Sequence, residues 1–112
     1  MAERLKLAEN EKNAVMKLIA DLKLPWPEAE FKLFGSKVTG GADEESDLDI
    51  LILLPCDVTN EIRRLIIHKA FDINLAFETN ISPLIMAKRE WASDTLSFLP
   101  IHAFIEEEGV TL

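Results

Sequence analysis

Residues 35–49 read GSKVTGGADEESDLD, and the two ends of this stretch decide the fold. At the far end, Asp47 and Asp49 stand two apart where an apolar run, LDILILLP over 48–55, begins. A run so rich in Ile and Leu fits a strand buried on both faces, and Pro55 closes it. Side chains along a strand repeat their direction every second residue, so both carboxylates point to one face. Like charges side by side repel, and a protein tolerates this when a cation sits between them or both reach water. Hard carboxylate oxygens suit Mg²⁺, which binds through one or two carboxylates plus substrate phosphates. At the near end, Gly35-Ser36 terminates AEFKLF, residues 29–34. There Ala29, Phe31 and Leu33 alternate with Glu30 and Lys32, the pattern of a short strand. Glycine at that point lets a ligand approach the backbone. A helix starting at Ser36 would offer free N–H groups and a hydroxyl to a phosphate, with Lys37 as a nearby positive charge. The polar residues between, 37–47, include Gly40 and Gly41 and must be loop in part.

Outward from this stretch the chain alternates helix and strand. Residues 3–23 have the spacing of an amphipathic helix, with Ala8, Val15, Leu18, Ile19 and Leu22 on its apolar side. Pro25 and Pro27 stop it. Residues 60–78 return to helical spacing through Ile62, Leu65, Ile66, Ile73 and Phe77. ISPLIM, 81–86, reads as a third strand, and Pro83 favours an edge or irregular position for it. Residues 88–107 predict one or two short helices packing back through Trp91, Phe98, Ile101, Phe104 and Ile105, with Gly109 as a stop. The order predicts a single domain over 1–112 of α/β (α+β) type, a small mixed sheet flanked by helices.

Composition narrows the functions. The 112 residues are 48% apolar and 29% charged, an ordinary globular balance. A net charge of −8 argues against a general nucleic-acid binder, which needs clustered Lys and Arg. It leaves room for a nucleotide whose charge is carried on metal ions. The single cysteine, Cys56, excludes an internal disulfide and a thiolate metal cluster. No apolar run reaches the roughly 18 residues of a membrane span, and MAERLKLAENEK lacks an apolar signal core; the expectation is a cytoplasmic protein. An EF-hand reading of Asp43, Glu45 and Asp47 fails, because its sixth position is Leu48 and its twelfth Leu54. His68, amid Arg63, Arg64 and Lys69, reads as a surface residue. His102 reads as half-buried packing, Trp26 and Trp91 as core edge, and Glu106, Glu107 and Glu108 as a solvated helix face.

The approach LFGS, then Gly40, then Ser46-Asp47-Leu48-Asp49 and the exit ILI form a spacing that joins two predicted strands. The sequence resembles the minimal nucleotidyltransferase branch of the DNA polymerase β-like nucleotidyltransferase superfamily. The signature covers about residues 33–53; the leading helix and the closing EEEGV fit as well. The resemblance implies a polymerase β palm-like core in which Gly35 and Ser36 hold phosphates, with Lys37 and Ser46 beside them, and Asp47 and Asp49 bind Mg²⁺ or Mn²⁺. It implies transfer of a nucleoside monophosphate, AMP from ATP, to an acceptor hydroxyl, with a helical HEPN-type toxin as partner and acceptor. Active members usually add a third carboxylate on the next core strand. Here the matching position is Ser82; Asp72 falls inside the predicted helix and Glu78 at its end. That departure, and Lys37-Val38-Thr39 where arginines are usual, admits a second reading: a nucleotidyltransferase-fold antitoxin or adaptor that works by binding alone.

Overall fold

The computed structural model of the protein describes residues 7–39 and 47–112. In chain order they form α1 (Glu9–Lys23), β1 (Glu30–Phe34), α2 (Ser36–Thr39), β2 (Leu48–Leu54), α3 (Asn60–Phe77), β3 (Ile81–Ala87), α4 (Lys88–Trp91), α5 (Asp94–Ser97), α6 (Pro100–Glu108) and β4 (Val110–Thr111). The strands make one mixed sheet in the order β3-β2-β1-β4. β1 runs antiparallel to both β2 and β4, and β2 runs parallel to β3. A parallel pair needs a long crossover, and α3 supplies it. β3 is an edge strand, where the missing N–H of Pro83 is tolerated.

β2 is the axis of the molecule. Its Leu48, Ile50, Ile52 and Leu54 face α1 and α3 and join Phe31, Leu33, Leu18, Leu22, Ile66 and Ile73 in the larger core. Its Leu51 and Leu53 face the other way, against Trp91 and Ile105, with Phe34, Leu84 and Met86 at the margin. Asp49 alone interrupts the burial of this strand. Both helical layers exist because β2 is apolar on both sides.

Three sequence expectations change. The carboxy-terminal region is three short helices and a two-residue strand, β4, which pairs Lys32 with Thr111 and Leu33 with Val110. Two residues carry too little pattern to announce a strand. Phe98, Ile101 and Phe104 do not pack back; they are exposed, Phe98 at 85%. Leu65 is also exposed, and Ala70 takes its place on the inner side of α3 beside Ile66 and Ile73. Helical spacing admits both positions, and the packing of β2 selects between them. Gly109 does end α6, but with extended backbone; a Cβ there would lie 2.4 Å from the Ile105 carbonyl oxygen. Among the described residues, no helix is long and apolar enough to cross a membrane.

Candidate active site

Among the described residues, the face of β2 that carries Leu51 and Leu53 is covered by α4 and α6 at the end away from Asp49. At the other end it presents Asp49, half-buried, with Asp47 exposed just before the strand. Asp49 is in register with Phe34 on β1 and with Ser82 on β3. The chain leaves β1 at Phe34 and turns at Gly35, which adopts φ +85°, the left-handed region that glycine tolerates and L side chains resist. A Cβ on Gly35 would lie 2.4 Å from Asp49 Oδ2. The glycine is therefore required twice, by its backbone angle and by the carboxylate resting on it. The backbone bend and the acid on the neighbouring strand share one small space.

The electrostatics follow from that placement. Burial raises the Asp49 pKa above the ordinary aspartate value, and the charge of Asp47 raises it further. An acid whose ionisation is opposed by burial and by a neighbouring carboxylate is one that a hard divalent cation would relieve. Among the described residues, no third His, Cys, Asp or Glu completes a metal-ligating group.

The position opposite Asp49 is Ser82, exposed on the edge strand. Its register is fixed from the end of α3. Asn74 Nδ2 donates to the Ile81 carbonyl at 3.1 Å, while its Oδ1 accepts from the Ile81 N–H at 2.8 Å and from the Thr79 hydroxyl at 2.9 Å. The Leu48 N–H then donates to the Asn80 carbonyl at 2.8 Å, joining β2 to the start of β3. Glu78 occupies the left-handed turn after α3 (φ 56°), exposed, and its carbonyl accepts from Asn10 Nδ2 at 3.3 Å. Asp72 is exposed on α3, the helix that packs on the opposite face of the sheet.

The remaining sequence-predicted residues are placed as follows. Ser36 begins α2, directly after the Gly35 bend. Lys37 is turned inward: it is buried, and its Nζ lies 3.0 Å from Glu11 Oε2 of α1. Gly40 and Ser46 lie outside the described residues. His68 is exposed; His102 is half-buried and stacks on Trp91 with ring centroids 4.3 Å apart. Sequence reasoning passed over Glu11. Its signal was there: residues 11, 14, 15, 18 and 22 form the buried stripe of α1, and a charged residue within an apolar stripe calls for a buried partner.

A model of the nucleotidyltransferase domain family matches residues 15–98, three-quarters of the chain with the Gly35 bend and both acids inside it. The chain belongs to the nucleotidyltransferase domain family. A Methanocaldococcus jannaschii protein named "Putative protein adenylyltransferase MJ0141" is 43% identical over 56 residues, a match that takes in 50% of this chain and 57% of that protein. Among solved structures, a toxin-antitoxin complex with AMP-PNP aligns over 93% of this chain and 72% of its own, with a TM-score of 0.59 and 23% identity. A mutant of the toxin-antitoxin MntA-HpeT aligns over 90% and 70%, with a TM-score of 0.56 and 24% identity. At that identity the likeness shows the fold alone.

Proposed function

We propose that this protein is a divalent-metal-dependent nucleotidyltransferase that moves AMP from ATP to an acceptor hydroxyl, with a helical HEPN-type protein as partner and acceptor. The single observation that supports the reading is the close approach of Asp49 to the Gly35 bend, where a Cβ would stand 2.4 Å from Asp49 Oδ2; an acid suited to a hard cation lies beside the turn to which the phosphates are assigned. Gly35 and Ser36 hold the phosphates, with Ser46 close by in sequence, and Asp47 and Asp49 hold Mg²⁺ or Mn²⁺. A cation bound there supplies charge neutralisation of the triphosphate and orients the attacking oxygen. The acceptor oxygen forms a bond to the α-phosphorus, the bond to the β-phosphate bridge breaks, pyrophosphate leaves and the acceptor proton passes to solvent. The adenylyltransferase name of the archaeal relative and the nucleotide analogue in a structural neighbour support ATP as donor.

Ser82 supports a second reading. It stands opposite Asp49 where the resemblance implies a third carboxylate, so no acid is in register there to take the acceptor proton or complete the metal shell. On this reading the domain binds MgATP and its partner without turnover.

One experiment separates the two. Titration calorimetry of MgATP should show binding to the wild type, and none to Asp47→Asn/Asp49→Asn; equal binding to both would reject the site altogether. Mass spectrometry of a HEPN-type protein incubated with ATP, Mg²⁺ and this protein should then show the gain of one AMP on the enzyme reading. Binding without that gain, together with a gain in Ser82→Asp, would establish the adaptor reading. A rate unchanged by Glu78→Gln would remove Glu78 as the substitute acid.

A further inference from the structure

We propose that Glu11 is a positioning residue of the nucleotide site: it holds Lys37, and through it the turn from Gly35 to Lys37, at a fixed distance from Asp49. The inference rests on the nucleotide reading above and adds to it a residue outside the signature segment.

Glu11 divides its two oxygens between two tasks. Oε1 accepts the Ala8 N–H at 2.9 Å, which closes the first turn of α1 and fixes the side chain's direction. Oε2 pairs with Lys37 Nζ at 3.0 Å, with the two side chains 12% and 5% exposed. A buried ion pair is a poor source of net stability, since desolvation of both charges offsets much of their attraction. Its value here lies in where it fixes the chain. Lys37 is two residues past Gly35, and a Cβ on Gly35 would stand 2.4 Å from Asp49 Oδ2. A shift of the turn toward β2 would drive backbone into that carboxylate; a shift away would open the gap that a phosphate and cation must bridge. The anchor is itself braced. Asn10, beside Glu11, donates to the carbonyls of Phe77 and Glu78 at 2.9 and 3.3 Å, tying the start of α1 to the end of α3.

This assignment gives Lys37 a tethering role, distinct from a direct charge on the phosphates. The two are separated by exchanging the charges. MgATP affinity is measured by calorimetry, and folding by thermal midpoint, for wild type, Glu11→Gln, Lys37→Glu and the exchange E11K/K37E. At metal sites, loss of a partner that orients a binding group typically costs about 10- to 100-fold in metal affinity or activity. The single variants should lose that much, and the exchange, which restores the ion pair but not the acceptor for the Ala8 N–H, should bind measurably better than Lys37→Glu. The Gly35 amide resonance in ¹⁵N spectra should move in Glu11→Gln while that of Gly109 stays in place. Glu11→Asp, which keeps the charge and shortens the reach, replaces Glu11→Gln should the latter unfold, and should also weaken binding. Folded single variants that bind MgATP like wild type would overturn the inference alone. So would an exchange variant that folds yet binds no better than Lys37→Glu, because Lys37 would then act on the phosphates directly. A wild type that binds no MgATP would overturn the nucleotide reading itself.

Discussion

Asp49 and Leu53 project from the same face of the same strand, and their fates are opposite. Leu53 lies under α4 and α6 with Trp91, Ile105, Leu84 and Met86 around it. Asp49, four residues nearer the start of the strand, lies against the Gly35 bend, in register with Phe34 and Ser82 and beside Asp47. The strand geometry is common to both ends; what differs is whether a helix is laid over it. Where the carboxy-terminal helices cover the face, alternation yields core. Beyond them, the same alternation yields a half-buried acid held beside a half-buried bend. The open end depends on the closed one, because Asp49 keeps its position only while β2 is clamped between two apolar layers.

The most severe way to break this contrast is to empty the closed end. Trp91 is 5% exposed, stacks on His102 and donates from Nε1 to Glu106 at 2.6 Å. Trp91→Ala should cost about 3–5 kcal/mol, as truncations of buried large aromatics do. That is a large share of the roughly 5–15 kcal/mol that holds a small domain together. Urea denaturation should show a lower midpoint with an unchanged slope, and MgATP should raise that midpoint again. A loss below 1 kcal/mol would mean the helical cover adds little to the sheet.

At the open end the expected effect is next in size and has a ligand-dependent sign. Burial and the Asp47 charge raise the folded-state pKa of Asp49. Its ionised form therefore opposes folding above that raised pKa. The penalty disappears as the pH falls toward the unfolded carboxylate range. Without ligand, Asp49→Asn should melt at or above the wild-type temperature at neutral pH, and the difference should close on acidification. MgATP at a hundred times its dissociation constant should stabilise wild type by about 2.7 kcal/mol and Asp49→Asn by nothing. A variant that melts below wild type in the absence of ligand would show that the carboxylate is held by favourable contacts and is not poised for a cation.

The contrast between the ends also explains what was legible in the sequence. The apolar run of β2 identified the central strand without help, because a strand buried on both faces has almost no polar residues to confuse it. Pro83 narrowed β3 to an edge or irregular position, and the strand lies at the edge of the sheet. The Asp47 and Asp49 spacing gave an acid pair at the entrance to β2, and the charge of Asp47 does act on Asp49. Helix faces were less legible: Leu65, Phe98, Ile101 and Phe104 are as apolar as the core, and local spacing does not say which neighbours will reach them. Lys37 was legible as a charge near the bend, but its pairing joins α1 to α2 across 26 residues of chain. No local pattern encodes that pairing except the oddity of Glu11 in an apolar stripe.

The smallest test lies at the boundary between the two ends, where Glu106 of α6 meets Lys32 of β1 at 2.9 Å and also accepts from Trp91. The hydrogen bond from Lys32 and then that from Trp91 lower the Glu106 pKa below the ordinary glutamate value, against a partial opposing effect of burial. A lowered folded-state pKa contributes stability that is present above the unfolded pKa. It is lost as the pH falls through the folded one. Lys32 and Glu106 are both partly exposed, so solvent screens the pair and its worth is about 0.2–1 kcal/mol. Glu106→Gln should lower stability by that amount at neutral pH, measured by urea denaturation, and the difference should vanish in acid where wild-type Glu106 is itself protonated. MgATP affinity should stay at the wild-type value, because α6 reaches the sheet away from Asp49. A fall in affinity would instead mean that the edge of the helical cover sets the position of the open acid, and that the two ends of the strand are mechanically one.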